Sequence, residues 1–220
     1  MIQMSNKETI YKERFQKQIN FLMEIDKVKS IFRKTRIINN KRYENDAEHA
    51  WHMSMMAIIL SEYANDKIDI CKVVKMALVH DLVEIDAGDT FLYDEDQSGK
   101  YKKERECAER VFGLLPEDQQ KEYLNLWDEF EAKETCEAKF AGAVDRLGPV
   151  MQNYFDNGHA WQKHGVTSDK VLNVNSQIKN GSDVIWEYAK GLIEKAVENG
   201  YLKCREQKLI QIHQAFDPNY

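Results

Sequence analysis

Proline is nearly missing from this chain. Its three residues, at 116, 149 and 218, leave most of the 220 positions free of the side chain that most firmly stops a helix. Sustained period-two alternation is missing as well, and with it the signature of half-buried strands. The longest apolar run, around Met53 to Leu60, is broken by Ser54 and falls far short of the ~20 residues a bilayer crossing needs. The opening MIQMSNKETIYKERF is charged within ten residues, so it lacks the apolar stretch of a secretory leader. The four cysteines, Cys71, Cys107, Cys136 and Cys204, are scattered and form no C-x-x-C pair. That excludes a zinc knuckle or disulfide frame and leaves reduced thiols. Positive charge is in deficit, with a net charge of -6, which argues against a surface for a nucleic-acid polymer. A local basic pocket for one small phosphorylated ligand is compatible with that balance. The expected protein is soluble and cytoplasmic, with no membrane span.

What is present points to helices. Hydrophobic residues make up 43% and charged residues 31% of the chain, an ordinary globular balance rather than a disordered one. The length fits a single domain. Phe15, Ile19, Leu22 and Ile25 recur at helical spacing and predict a first helix that ends before the basic segment Ile31 to Arg36. Residues 37 to 44 read as a loop. Asn45 or Asp46 caps a second helix reaching about Tyr63, and Ile70 to Glu84 predicts a third, with Ile70, Val73, Val74, Ala77 and Leu78 turned to the core. Asp86 to Thr90 is turn chemistry, followed by a polar loop through Gln97-Ser98-Gly99. Helices over roughly 101–114 and 117–132 follow, with Pro116 in a first-turn position. Thr135 caps a helix carrying Phe140, Val144, Leu147 and Val150, in which Pro149 predicts a kink or a local end. After a loop with Gly158 and Gly165, a short helix starts near Ser168 and Ser182 caps a long one ending at Asn199-Gly200. The fold class is all-α.

Three of these helices carry ionisable groups where apolar residues are expected: His49, the pair His80-Asp81, and Asp145. Burying such groups singly costs several kcal/mol, so they are usually paired or metal-bound. Two imidazoles and two carboxylates suit a divalent ion that keeps open positions for water and substrate. A buried His–Asp hydrogen-bond network without metal fits the spacing equally well. Glu84 lies one turn after His80, within reach for proton transfer or for orienting a ligand. Asp89 sits in a turn that Gly88 makes easy. Arg33 offers a guanidinium fork for phosphate, or belongs to a solvated basic patch with Lys34, Arg36, Lys41 and Arg42.

The order His49 … His80-Asp81 … Asp145 resembles the HD-domain metal-dependent phosphohydrolases. The strings Glu44-Asn45-Asp46-Ala47-Glu48-His49 and His80-Asp81-Leu82-Val83-Glu84-Ile85-Asp86-Ala87-Gly88-Asp89-Thr90 are similar to the branch of the bacterial 5'-deoxynucleotidases. The likeness covers about residues 25 to 154. It implies an HD-domain helical bundle with additional C-terminal helices over 155–220, and one divalent cation (Mn, Co, Mg, Zn, Fe or Ni) on His49, His80, Asp81 and Asp145. It further implies Glu84 and Asp89 as catalytic groups, Arg33 on the substrate phosphate, and hydrolysis of nucleoside 5'-monophosphates in a homodimer. A phosphatase for another small phosphate ester and a non-catalytic nucleotide-binding module are the alternatives. Two departures matter. Lys34 stands where that branch has a tryptophan beside the arginine, which opens the choice between ribose and deoxyribose. No histidine lies between Asp81 and Asp145, which favours one metal over two.

The other histidines carry less. His52 reads as structural, His159 and His164 as residues of a loop that can reach a pocket mouth, and His213 carries no signal. Trp161, Trp186, Tyr188 and Tyr201 read as apolar surface for a subunit contact, or as the closure of the core.

Overall fold

A helix of small side chains runs through the centre of the molecule. The computed structural model describes residues 6–39, 41–93 and 99–204; the expected loop at 97–98 and His213 lie outside them. Helix α7 (Cys136–Phe155) buries Ala138, Ala141, Gly142, Ala143 and Gly148 beside Phe140, Val144, Leu147 and Val150, so its neighbours approach closely. Around it pack α2 (Asp46–Leu60), α3 (Ile70–Val79), α6 (Glu117–Ala132) and α10 (Asp183–Glu198). Helix α1 (Asn6–Ile25) precedes this group. The short α4 (Glu84–Ala87) and then α5 (Lys100–Phe112) sit between α3 and α6, and α8 (His159–Lys163) and α9 (Ser168–Asn175) between α7 and α10. The all-α class holds, with one small addition. No helix among the described residues is long and apolar enough to cross a membrane.

Capping chemistry sets the ends. Asn45, not Asp46, caps α2: its side chain accepts from the Glu48 amide at 3.0 Å while Glu48 reaches back to the Asn45 amide at 3.2 Å, a closed capping box. Thr135 and Ser182 accept from the Ala138 and Ile185 amides, as their spacing predicts. Pro116 stands at the cap of α6 itself rather than inside its first turn. Pro149 does not end α7, which continues to Phe155. It does withhold an N–H from the carbonyl of Asp145, four residues back.

Two expectations about faces fail. In α1, Phe15 and Leu22 are exposed, and Phe21 is the buried anchor, seated against Phe112 and Tyr123. The helix also docks through polar pairs, Arg14 with Asp118 and Gln18 with Gln119, which hydrophobic periodicity does not see. In α3, Leu78 is half exposed, and Met76 and Val79 fill the core instead. The predicted third helix also does not run unbroken to Glu84: it tightens into a 3-10 turn over His80–Val83. Trp161 is fully buried, so for that residue closure of the core is the correct alternative. The stretch holding it is not all loop, because α8 forms there.

The segment read as basic patch and loop is a short antiparallel hairpin, β1 (Phe32–Arg36) with β2 (Tyr43–Asn45). Phe32 pairs with Asn45 and Arg36 with Tyr43, so Arg33, Lys34 and Thr35 together face Glu44 alone. This bulge breaks the alternation of side chains, which is why no strand period shows in the sequence.

The turn before α10 lies directly on α7. A Cβ at Gly181 would sit 2.6 Å from the Lys139 carbonyl carbon and 2.7 Å from the Phe140 Cα, backbone atoms that cannot yield. Gly181→Ala is therefore expected to cost ~1–3 kcal/mol, read as a lower urea midpoint. Gly191→Ala, in open space within α10, is expected to stabilise by about 0.5–1 kcal/mol.

Candidate metal centre

Three elements bring the four expected ligands close together. α2 supplies His49, the 3-10 turn after α3 supplies His80 and Asp81, and α7 supplies Asp145. One ligand atom from each of His49, His80 and Asp81 lies within 4.8 Å of the other two, a group that leaves out Asp145, which approaches the two histidines. His49 Nε2 is 3.1 Å from Asp145 Oδ1 and 3.8 Å from Asp81 Oδ2. His80 Nε2 is 3.1 Å from Asp81 Oδ1 and 3.8 Å from Asp145 Oδ1. Ligands bound at about 2.1 Å and roughly at right angles stand ~3 Å apart, so this spacing suits a common ion.

The histidines are oriented for it. His80 Nδ1 donates to the Ala77 carbonyl at 2.9 Å, an acceptor that fixes the proton on Nδ1 and leaves the Nε2 lone pair free. That Nε2 is buried and has no hydrogen-bond partner among the described residues. The His80 carbonyl takes the indole N–H of buried Trp127 at 3.2 Å, and its ring packs on Phe130. Lys133, from the left-handed end of α6, lays its ammonium over the other ring contact of Phe130; burial pushes that ammonium down to about 8 against the pull of Glu131, Asp145 and Asp81. His49 is 2% exposed, with its Nδ1 facing the Glu44 carboxylate at 3.6 Å.

Charge is unevenly shared. Glu44, Asp46, Asp81, Glu84, Asp89 and Asp145 crowd around Arg33 and the two imidazoles. Burial works against ionisation of Asp81 and Asp145, but His80, His49 and Arg33 hold both well below the usual carboxylate range. Burial and the charges of Asp81 and Asp89 push Glu84 up to about 9, and burial with Asp81 pushes Asp46 up to about 8. Asp89 is raised, first by burial. His49 rises to about 9: burial and Arg33 oppose its charge, yet Asp145 and Glu44 outweigh them. Protons thus compensate a surplus of buried negative charge, and a divalent cation would displace them. The donor set, the free Nε2 of His80 and this surplus all fit such an ion.

The cavity beside these ligands is lined by Arg33, Lys34, Thr35, Glu84, Asp89 and Phe91, among others. The bulge explains how three consecutive residues, 33 to 35, reach the same space. Gly88, at φ +74°, closes the turn that presents Asp89. Arg33 donates to Asp81 at 2.7 Å and lies 3.7 Å from both Glu44 and Asp46, so it belongs to the centre and not to a solvated patch. His164 stacks on Phe91 at 4.4 Å, behind the cavity wall. His52 lies instead beside Met55 and Ile59 in a groove between α2 and α10. The sequence reading missed Glu44 and Asp46 as parts of the centre, although both stand in the string that precedes His49. It also missed Trp127, Phe130 and Lys133, which carry no motif.

Known proteins share the sequence and fold of this chain. The family model described as an HD domain matches residues 25–186. A crystal structure from Magnetospirillum magnetotacticum, described as a predicted metal-dependent phosphohydrolase, is 48% identical with a TM-score of 0.81, covering 86% of this chain and 98% of that one. The human 5'-deoxynucleotidase HDDC2 is 31% identical over 136 residues, 61% of this chain and 65% of that protein, and its Bos taurus counterpart is 32% identical over the same shares. The chain thus spans about two thirds of the length of these curated relatives. The PH0347 protein of Pyrococcus horikoshii, 21% identical with a TM-score of 0.56 over 79% of this chain and 99% of its own, shares the fold. With the HD-domain family model spanning most of its length and a predicted metal-dependent phosphohydrolase nearly half identical to it, this chain belongs to the HD-domain family.

Proposed function

We propose that the protein releases phosphate from nucleoside 5'-monophosphates, with one divalent cation on His49, His80, Asp81 and Asp145. The convergence of two imidazole Nε2 atoms and two ionised carboxylates from separate elements carries this reading. A cation held there supplies Lewis acidity, offsetting charge on a phosphate oxygen and making water more acidic. Arg33 retains N–H donors beyond the one it gives Asp81, and these suit the remaining phosphate oxygens. Glu84 lines the same cavity one turn after His80, which suits it to pass a proton to the departing sugar oxygen, with Asp89 on the same wall orienting the sugar. Phe91 gives the cavity an aromatic wall suited to a nucleoside. Lys34 lines the cavity at the position where the resembled branch carries a tryptophan, which supports a substrate range that includes ribonucleotides.

The same reading includes a homodimer. Trp51, Met55, Ile58 and Ile59 form an exposed stripe on α2, beside exposed Val184 and Tyr188 of α10. A contiguous apolar surface of this kind marks a contact site, and a second copy presents the same stripe. Sedimentation is expected to give twice the 25.8 kDa chain mass, and Ile59→Glu to return it to one.

Incubation of nucleoside 5'-monophosphates, with sugar phosphates in parallel, is expected to release phosphate with Mn²⁺, Co²⁺ or Mg²⁺ and none after chelation. No release with any of these metals by folded protein would overturn the proposal. His80→Ala and Asp81→Ala are each expected to lose both bound metal and turnover. Glu84→Gln should keep the metal and lower kcat by roughly 10²–10⁴-fold.

Glu84 also sets a pH dependence. Its folded carboxyl keeps, up to about 9, a proton that the unfolded chain sheds near 4.5. Stability therefore falls as pH rises through that window. In chelator, Glu84→Gln should match the wild type near the lower limit and exceed it increasingly towards the upper one, as measured by urea unfolding at several pH values.

A further inference from the structure

Asp46 is a buried carboxylate for which neither the metal ligation nor the proton transfer has a use. It is 1% exposed, and neither of its oxygens has a hydrogen-bond partner among the described residues. A buried, unbonded carboxylate is costly and persists where something compensates it. The nearest cation is Arg33, whose Nη1 stands 3.7 Å from Asp46 Oδ1. The same Nη1 is bonded to Asp81 Oδ2 at 2.7 Å, and that oxygen faces His49 Nε2 at 3.8 Å, on the side of the metal ligands. The other end of the guanidinium, Nε, lies 3.7 Å from Glu44 Oε2. Glu44 in turn faces His49 Nδ1. The arginine is thus pivoted near Glu44 with its free tip between two carboxylates, one bonded and one just beyond bonding distance.

A divalent cation and a guanidinium repel each other, and both are drawn to Asp81. We propose that Asp46 is a positioning residue for Arg33: it is the second berth of the guanidinium, taking the Nη1 tip when Asp81 turns its carboxylate to the cation. Asp46 then touches neither metal nor substrate. It frees a ligand oxygen, and it keeps Arg33 beside the centre, ready for the phosphate. The shift is about 1 Å at the tip, within reach of a side-chain torsion, and needs no backbone movement. The inference rests on Asp81 being a metal ligand.

A double-mutant cycle on Mn²⁺ affinity tests it, with free Mn²⁺ measured by electron paramagnetic resonance on the whole chain. Asp46→Asn is expected to weaken Mn²⁺ binding about tenfold, because the guanidinium then stays on Asp81; Arg33→Met alone should strengthen it. In the Arg33→Met background the cost of Asp46→Asn should shrink at least threefold, which a carboxylate acting only through its field would not do. An equal cost in both backgrounds, or no cost in the wild type, overturns the inference while leaving the metal centre standing. A folded wild type that binds no Mn²⁺ overturns the metal centre and the inference with it. Thermal melting checks that each variant folds. Should Arg33→Met not fold, Arg33→Lys enters the same cycle under the same threefold criterion, because a lone ammonium lacks the fork that spans both carboxylates.

Discussion

Buried negative charge is the constraint around which this molecule is built. Carboxylates from the hairpin, α2, the 3-10 turn after α3, the Gly88 turn and α7 converge around one largely buried cavity. Self-repulsion in such a cluster would open the bundle unless cations and protons offset it. Arg33 supplies a permanent positive charge, His49 an inducible one, and in the cation-free protein Glu84 and Asp46 are pushed towards their neutral forms. The helices are held together by the apolar packing of α7 with its neighbours, and that packing is what forces the charges into proximity. Stability and chemistry are therefore opposed at this point, and a divalent cation is what reconciles them.

The supports of the centre show how local structure sets ligand direction. His80 departs from α-helical geometry at the residue where its side chain is needed, and 3-10 segments within helices commonly mark such sites. Its two ring nitrogens are given different tasks by one backbone carbonyl. On α7, Pro149 removes the helical partner of the Asp145 carbonyl, so the chain lacks one helical hydrogen bond at Asp145 without losing the helix.

The chain announces some of this and hides the rest. His80-Asp81 and Asp145 stand out because ionisable residues interrupt apolar helical faces, and the helix caps at Asn45, Thr135 and Ser182 follow from local hydrogen-bonding chemistry. Which face of a helix is covered is a tertiary matter: periodicity in α1 marks Phe15 and Leu22 as readily as Phe21, and only the presence of α5 and α6 decides between them. The same holds for Leu78 and Trp161. The hairpin is hidden for a different reason, since two short strands joined through a bulge have no alternation to detect. Asp46 reads as a cap from its neighbours, and its burial depends on Arg33, which folds back from the other strand.

The bulge in β1 has an evolutionary side. In a regular strand, neighbouring residues belong to opposite faces, and a change of binding chemistry needs substitutions spaced two apart. Here consecutive codons write adjacent parts of one cavity wall, so a small exchange of sequence at Lys34 or Thr35 can retune what the cavity accepts while Arg33 and the core stay as they are. Divergence among relatives should therefore concentrate at this edge, where selectivity can drift without cost to folding.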